Sequence, residues 1–247
     1  MKKKRLDTIL SDRGIFDSRS AAQRSIMAGQ VIVDGQIASK PSQLFEDSVE
    51  ISLKQGPQFV SRGGIKLQKA LDDFGYDRID GFVCVDVGAS TGGFTDCLLG
   101  RGAKRVYAID VGYGQLHYQL RNDHRVLVME RTNVKNVTAL PENVDLVTID
   151  ASFISLKYIL PVITNWPKNN ILKVIALIKP QFEVGRKIAA KGKGVVRDEF
   201  ERQKVIDELT AFSLNIGFHL SGLVASPILG PKGNKEYFIH LTFGDMS

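Results

Sequence analysis

The chain has 247 residues, of which 43% are hydrophobic and 24% charged, with a net charge of +6. That is room for one large domain plus a small one, each with a core, and it excludes a disordered or low-complexity polypeptide. The basic excess suits a polyanionic partner without identifying one. Two cysteines, Cys84 and Cys97, are too few for a disulfide framework or a zinc cluster, so both read as core thiols in a reducing compartment. No apolar run approaches the roughly 18 residues of a membrane span. The segment "MKKKRLD" lacks the apolar stretch of a signal peptide, so a cytoplasmic protein is expected.

Residues 1–58 are expected to form a small α+β domain and a linker. "RLDTILSDRG" places Leu6, Ile9 and Leu10 at helical spacing, with Gly14 positioned to end the helix. "SRSAAQRSIMAG" predicts a second helix between an N-cap at Ser18 and a stop at Gly29. In "VIVDGQIAS" two short strands flank Asp34-Gly35, a dipeptide suited to a primed hairpin turn. "DSVEISL" adds a strand, and "KQGPQ" reads as the linker.

Residues 59–247 alternate strand-like and helix-compatible runs. Strands are expected at 82–87, 105–110, 126–130, 145–150 and 173–178, the signature of a parallel sheet covered by helices on both faces. A long helix around 199–214 follows. Then "HLSGLVASPI" and "EYFIHLTF", joined by "LGPKGNK", close the sheet as a hairpin. The expected fold is α/β: a Rossmann-like, seven-stranded sheet whose last strand is antiparallel.

The first of these strands runs into "VDVGASTGGFTDCLL". A strand that ends in a glycine turn and feeds a helix offers backbone N–H groups to a ligand, and Gly88 and Gly92 permit close approach. The spacing is D-x-G-x-x-x-G-G rather than the dinucleotide fingerprint G-x-G-x-x-G. Asp110, at the end of the next strand, sits where an acid accepts hydrogen bonds from both hydroxyls of a ribose. A nucleoside-type cofactor fits. The relaxed spacing and the closing hairpin favour a methyl donor, S-adenosylmethionine, over a dinucleotide. Asp110 as a helix cap in a plain tight turn is the simpler alternative.

In an open parallel sheet the site lies beyond the carboxyl ends of the strands. Asp150 in "TIDASFISL" and Lys179 in "ALIKPQFE" fall there. Glu236 begins the antiparallel last strand, so it reaches the same edge. Lys66, in "SRGGIKLQKAL", lies on a helix that strand logic does not place. Two lysines and two acids suit methyl transfer to a ribose 2′-hydroxyl: a partly desolvated amine engages the hydroxyl proton, and the acids hold the amines. Taken singly, each residue reads equally as a salt bridge or a cap. No metal site is expected.

The segments "SRGGIKL", "DVGASTGGFTD", "IDVGYGQL", "DASFISL", "KPQFE" and "GNKEYF", in that order, resemble the TlyA family of RNA 2′-O-methyltransferases. That family is related to the FtsJ class and is often labelled hemolysin A. "RLDTILSDRGIFDSRSAAQRSIMAGQVIVDG" resembles the alpha-L RNA-binding domain found in a small-subunit ribosomal protein and several RNA-modifying enzymes. The resemblance implies a catalytic tetrad at Lys66, Asp150, Lys179 and Glu236. It implies methylation of a cytidine ribose in ribosomal RNA, with the large subunit favoured because longer members modify both subunits. The cofactor would meet Asp86, Gly88, Ala89, Ser90, Gly92, Gly93 and Phe94 around its methionine part and Asp110 at its ribose. Asn133 would meet the adenine, and Asp150 would lie near the sulfonium.

RNA itself is expected on the basic surfaces. Residues 1–30 carry seven Lys/Arg against three Asp, and Arg5, Arg19 and Arg24 are candidates for phosphate contacts, as is Arg62. "GRKIAAKGKGVVR", residues 185–197, has five Lys/Arg and no acid. Arg186, Lys187, Lys191 and Lys193 in this run suit a loop that grips RNA beside the site. The expected partner is thus ribosomal RNA or a ribosomal subunit, with no membrane and no obligate protein partner. Competing readings are a non-catalytic RNA-binding or ribosome-assembly protein on a methyltransferase fold, a membrane-active hemolysin and an NAD-linked dehydrogenase. Strands that alternate with helices argue against the hemolysin. The basic first domain is left without a role in the dehydrogenase.

Overall fold

The computed structural model describes residues 3–54, 56–166, 171–184 and 193–244. Contacts divide the chain at Gln58/Phe59 into two units. The smaller holds β1 (Lys4–Arg5), α1 (Leu6–Asp12), α2 (Arg19–Met27), β2 (Val31–Val33), β3 (Gln36–Ile37), β4 (Leu44–Phe45) and β5 (Ile51–Leu53). Leu6 and Leu10 of α1 pack with Ala22 and Ile26 of α2 against Val31 and Val33. Ser18 caps α2 by accepting a hydrogen bond from the Ala21 amide at 3.2 Å. Asp34 and Gly35 both have positive φ, 47° and 77°, as a type I′ turn requires, and Ile32 pairs with Ile37 across it. The β1–β4 pair has no counterpart in the sequence reading, because two-residue strands carry no periodicity to detect.

The larger unit contains α3 (Arg62–Asp73), β6 (Val83–Val87), α4 (Gly93–Gly100), β7 (Arg105–Ile109), α5 (Tyr118–Arg121), β8 (Val126–Met129) and β9 (Leu146–Ile149). These are followed by α6 (Leu160–Ile163), β10 (Leu172–Ile178), α7 (Pro180–Glu183), α8 (Glu199–Asn215), β11 (Phe218–Ala225) and β12 (Tyr237–Phe243). Its seven strands are ordered β11-β12-β10-β9-β6-β7-β8. β12 is antiparallel to both neighbours and the remaining pairs are parallel. Each expected strand is present with ends shifted by a residue at most in the parallel set.

Side chains alternate across a strand with a period of two, and here both faces are covered. Val83, Val85, Val147, Ile149, Val174 and Ile178 pack on one face with Val205, Ile206 and Leu209 of α8. Cys84, Val106, Ala108, Ile175 and Leu177 pack on the other with Leu67 and Leu71 of α3 and Leu98 of α4. Both cysteines are free and buried, and burial pushes the Cys97 thiol up to about 12. Strand order reverses between β6 and β9, so a crevice opens at their carboxyl ends. Among the described residues no helix is long and apolar enough to cross a membrane.

Candidate functional site

The crevice is built on the turn after β6. Gly88 has φ +84°, and a Cβ there would stand 2.9 Å from the Asp150 carbonyl oxygen. Only glycine lets the exits of β6 and β9 run this close. Asp110, at the end of β7, accepts hydrogen bonds from the Ser90 amide at 2.8 Å and the Gly112 amide at 2.6 Å. Its carboxylate therefore ties the glycine turn to the next strand. Between them lies a cavity of about 390 Å³. Ile109, Val134, Ile154 and Ile159 give it apolar walls, and Ser90, Asp110, Asn133 and Asp150 supply polar groups. Apolar walls with a few convergent polar groups are the usual make-up of a small-molecule site. Asn133 also caps the turn after β8, accepting from the Lys135 amide at 3.0 Å.

Two residues expected around the cofactor line neither cavity of the crevice. Asp86 is fully buried behind the turn. It accepts from the Thr95 hydroxyl at 2.7 Å and faces the Thr148 hydroxyl at 3.5 Å. Burial, with the Asp150 charge nearby, pushes its carboxyl up to about 7. Gly92 lines neither cavity of the site. A Cβ on it would stand 2.2 Å from Leu120 Cδ1, so this glycine makes room for the protein's own leucine. Gly93 plays a similar part: a Cβ there would meet Ser61 Oγ at 2.2 Å and the Gly64 amide nitrogen at 2.9 Å. The start of α3 thereby lies directly on the start of α4.

That close approach carries Lys66 into the crevice. Lys66 is 8% exposed, Glu236 is 2% exposed, and Lys66 Nζ donates to Glu236 Oε2 at 2.5 Å. Glu236 is placed by β12: Ile178 pairs with Tyr237, so the residues just beyond, Lys179 and Glu236, leave the sheet at one edge. Lys179 Nζ lies 2.6 Å from Asp150 Oδ1 and donates to Ser152 Oγ at 2.9 Å and to the Asp150 carbonyl at 3.3 Å. Two acceptors and one ion-pair partner thus surround the ammonium. Asp150 Oδ1 is buried and meets Lys179 as an ion pair, without a directed hydrogen bond. Lys66, Lys179 and Asp150 together line a second cavity of about 240 Å³, along with Arg62, Ala89, Gly93 and Phe94. Gly88, Ser90 and Asp150 border both cavities. The crevice therefore has an apolar chamber and a cationic one, meeting at Asp150.

Ser152 and Gln181 were not singled out in the sequence. Gln181 Nε2 donates to Glu236 Oε1 at 3.4 Å. Each lies two positions beyond a strand-end ionisable residue, Asp150 or Lys179, and that offset is the signal that points to them.

Of the basic residues, Arg62 lines the cationic chamber. Arg5 and Arg19 are held by Asp7, a fully buried carboxylate that accepts from Arg5 at 2.8 Å, from Gln23 at 2.6 Å and from Arg19 at 3.4 Å. The Arg5 guanidinium beside it holds the Asp7 carboxyl well below the usual carboxylate range. Both arginines are still about half exposed, at 44% and 54%, and Arg24 and Lys193 are exposed. Arg186, Lys187 and Lys191 lie outside the described residues.

Residues 59–243 match the FtsJ-like methyltransferase family, and residues 4–51 match the S4 domain. The chain is 44% identical to a Mycobacterium tuberculosis protein named 16S/23S rRNA (cytidine-2′-O)-methyltransferase TlyA, over 96% of this chain and 89% of that one. It is 42% identical to a Brachyspira hyodysenteriae protein named Hemolysin A, over 96% of this chain and 98% of that one. The solved structure of a hemolysin-named protein from Streptococcus thermophilus is 42% identical. It superposes with a TM-score of 0.73 over 99% of this chain and 90% of the other.

Proposed function

Because the chain belongs to the FtsJ-like methyltransferase family and carries an S4 domain, we propose that it methylates a ribose 2′-hydroxyl of ribosomal RNA, with S-adenosylmethionine as the donor. The observation that carries this reading is the pair of chambers meeting at Asp150. The apolar chamber fits the donor. Asp110 stands at the end of β7 where a ribose is held, and Asn133 lies on the same wall. Gly88 keeps the backbone clear where a side chain would intrude. Gly88, Ala89, Ser90, Gly93 and Phe94 form the boundary with the cationic chamber.

S-adenosylmethionine, when bound, supplies an electrophilic methyl group on a sulfonium. The chain's own residues would do the rest. Lys179 would donate to the 2′-oxygen and orient it, held in place by Asp150 and Ser152, and the hydroxyl proton would pass to the Asp150 carboxylate or to solvent as the oxygen takes the methyl group. The hydroxyl would take over one of the acceptor positions now filled around Lys179. Lys66 supplies a second cation in the same chamber, and Glu236 fixes it. Both pairs are largely screened from water, where fixed charges act most strongly on a reacting group.

The acceptor would be a cytidine of 16S or 23S rRNA, both of which stand in the name of the M. tuberculosis relative, and large-subunit RNA is the substrate to test first. The exposed parts of Arg5, Arg19 and Arg24 would meet RNA phosphates. Such an enzyme works with ribosomes in the cytoplasm. Mapping 2′-O-methylation of ribosomal RNA from cells with and without the gene tests the reading. At least one methylated cytidine should disappear with the gene, and identical maps would overturn it.

A further inference from the structure

Beside the two chambers the larger unit holds a third cavity, of about 300 Å³, with a different lining. Arg197, Arg202, Lys232 and Lys235 surround it, together with Leu229. Among the described residues the acid in ion-pair contact with this group is Glu199, which bonds Arg202 and lies 3.7 Å from Lys235. Four cations facing one carboxylate leave the cavity with an unbalanced positive charge.

The walls are built. Asn234 is 2% exposed and joins two loops: its Oδ1 accepts from the Val196 amide at 3.1 Å, and its Nδ2 donates to Gly194 O at 2.9 Å and Pro231 O at 3.1 Å. Arg202 is 6% exposed. It donates to the carbonyls of Val196 and Arg197, both at 2.8 Å. Its guanidinium also interacts with the Tyr237 side chain, so Arg202 shapes the wall, while Arg197, Lys232 and Lys235 keep exposed positions around the cavity. An oxyanion is the ligand that a cluster of arginines and lysines favours.

Position narrows the anion further. Pro231 lines the chamber that holds Lys66 and Lys179, and the next residue, Lys232, lines the cationic cavity. The two spaces therefore stand on either side of one loop, which ends at Glu236. A nucleotide placed at Lys179 has phosphodiesters on both sides of its ribose, and this loop borders the chamber that would hold it.

Resting on the reading of the chain as an RNA 2′-O-methyltransferase, we propose that the cavity formed by Arg197, Arg202, Lys232 and Lys235 binds a backbone phosphate of the substrate RNA, next to the methylated nucleotide. The contact sets the register of the strand over Lys179 and reads no base.

The test uses the full-length chain, large ribosomal subunits lacking the modification, and two variants at exposed positions: Arg197→Gln/Lys235→Gln, and Lys232→Gln alone. The second leaves the Glu199 pairs and the Asn234 bonds in place. Each variant should melt like the wild type, weaken RNA binding by about three- to tenfold at low salt, and reduce the slope of log K against log salt by about one contact. KM for the RNA should rise in step, with kcat and S-adenosylmethionine affinity unchanged. Unaltered slope and KM in both variants would overturn the proposal. Inorganic phosphate is the second probe: competition with RNA in the wild type but not in the variants supports the site. Phosphate that binds the wild type without displacing RNA would make it a free-anion site and also overturn the proposal. Wild-type chain that binds the subunits but transfers no methyl group contradicts the methyltransferase reading instead, and the salt slopes still judge the cavity.

Discussion

Lys66 and Glu236 lie 170 positions apart in the chain and meet at 2.5 Å, both nearly closed to water. A buried ion pair of this kind is weak evidence for stability, because desolvation offsets most of the attraction. Removing one partner is costly, since the other charge stays buried alone. Glu236→Ala should therefore cost about 3–5 kcal/mol in urea unfolding and abolish methyl transfer. The double variant Lys66→Met/Glu236→Leu should regain much of that stability, yet stay inactive. Recovery of activity with stability would reduce the pair to a structural strut.

Gly88 and Gly100 provide a matched pair of substitutions. At Gly88 a Cβ would press on the Asp150 carbonyl in a left-handed backbone, whereas at Gly100 nothing lies within 4 Å. Gly88→Ala should lose about 1–3 kcal/mol and weaken S-adenosylmethionine binding at least about tenfold. Gly100→Ala, at the exposed end of α4, should gain about 0.5–1 kcal/mol and leave transfer intact. Calorimetric titration and thermal melts of both variants check this.

Asp86 predicts a pH dependence of stability. Its carboxyl is raised from the ordinary value to about 7 in the folded chain, so between about pH 4 and pH 7 the folded state holds a proton that the unfolded state has lost. The contribution of this group is complete below about pH 4 and declines as pH rises through 7. Asp86→Asn should flatten that decline: the melting temperature of the variant relative to the wild type should climb from pH 4 to pH 8. Parallel curves would contradict the assignment.

Asp7 has the opposite sign. Its folded carboxyl lies below the ordinary value because of Arg5 and Gln23. Its stabilisation is present above about pH 4 and is lost as pH falls through the folded value. Asp7→Asn should destabilise the S4 unit by roughly 1.5–3 kcal/mol at neutral pH, the range for hydrogen bonds to a charged group. By freeing Arg5 and Arg19 from fixed positions it should also weaken RNA binding, with S-adenosylmethionine affinity retained. Filter binding and cofactor titration separate the two effects.

Much of this was legible in the sequence because the signals are local. Apolar runs located the β6–β10 strands, and Ser18 and Asp34-Gly35 fixed a cap and a hairpin. The carboxyl-edge rule places Asp150, Lys179 and Glu236 at one edge from the sequence alone. Lys66 was not placed this way, since its position depends on how closely α3 approaches α4, and the small residues at that contact, Gly63 and Gly93, look like any others in the sequence. Gly92 and Asp86 share a motif with Gly88, but one serves Leu120 and the other Thr95. Spacing alone does not say which side of a turn a residue faces. The cationic cavity was hidden for the same reason: Arg197 and Lys235 are far apart in sequence, and Asn234, which joins their loops, has no charge to attract notice.

The role proposed for Lys179, promoting methyl transfer to a ribose, is open to a direct test. Wild-type chain, incubated with large ribosomal subunits and methyl-labelled S-adenosylmethionine, should place the label on the 2′-oxygen of a cytidine. Lys179→Ala should lower the rate by at least about a hundredfold, the contribution expected of a positioned acid–base group, while binding the cofactor as well as the wild type. Full transfer by that variant, or label on a base instead of a ribose, would contradict the account.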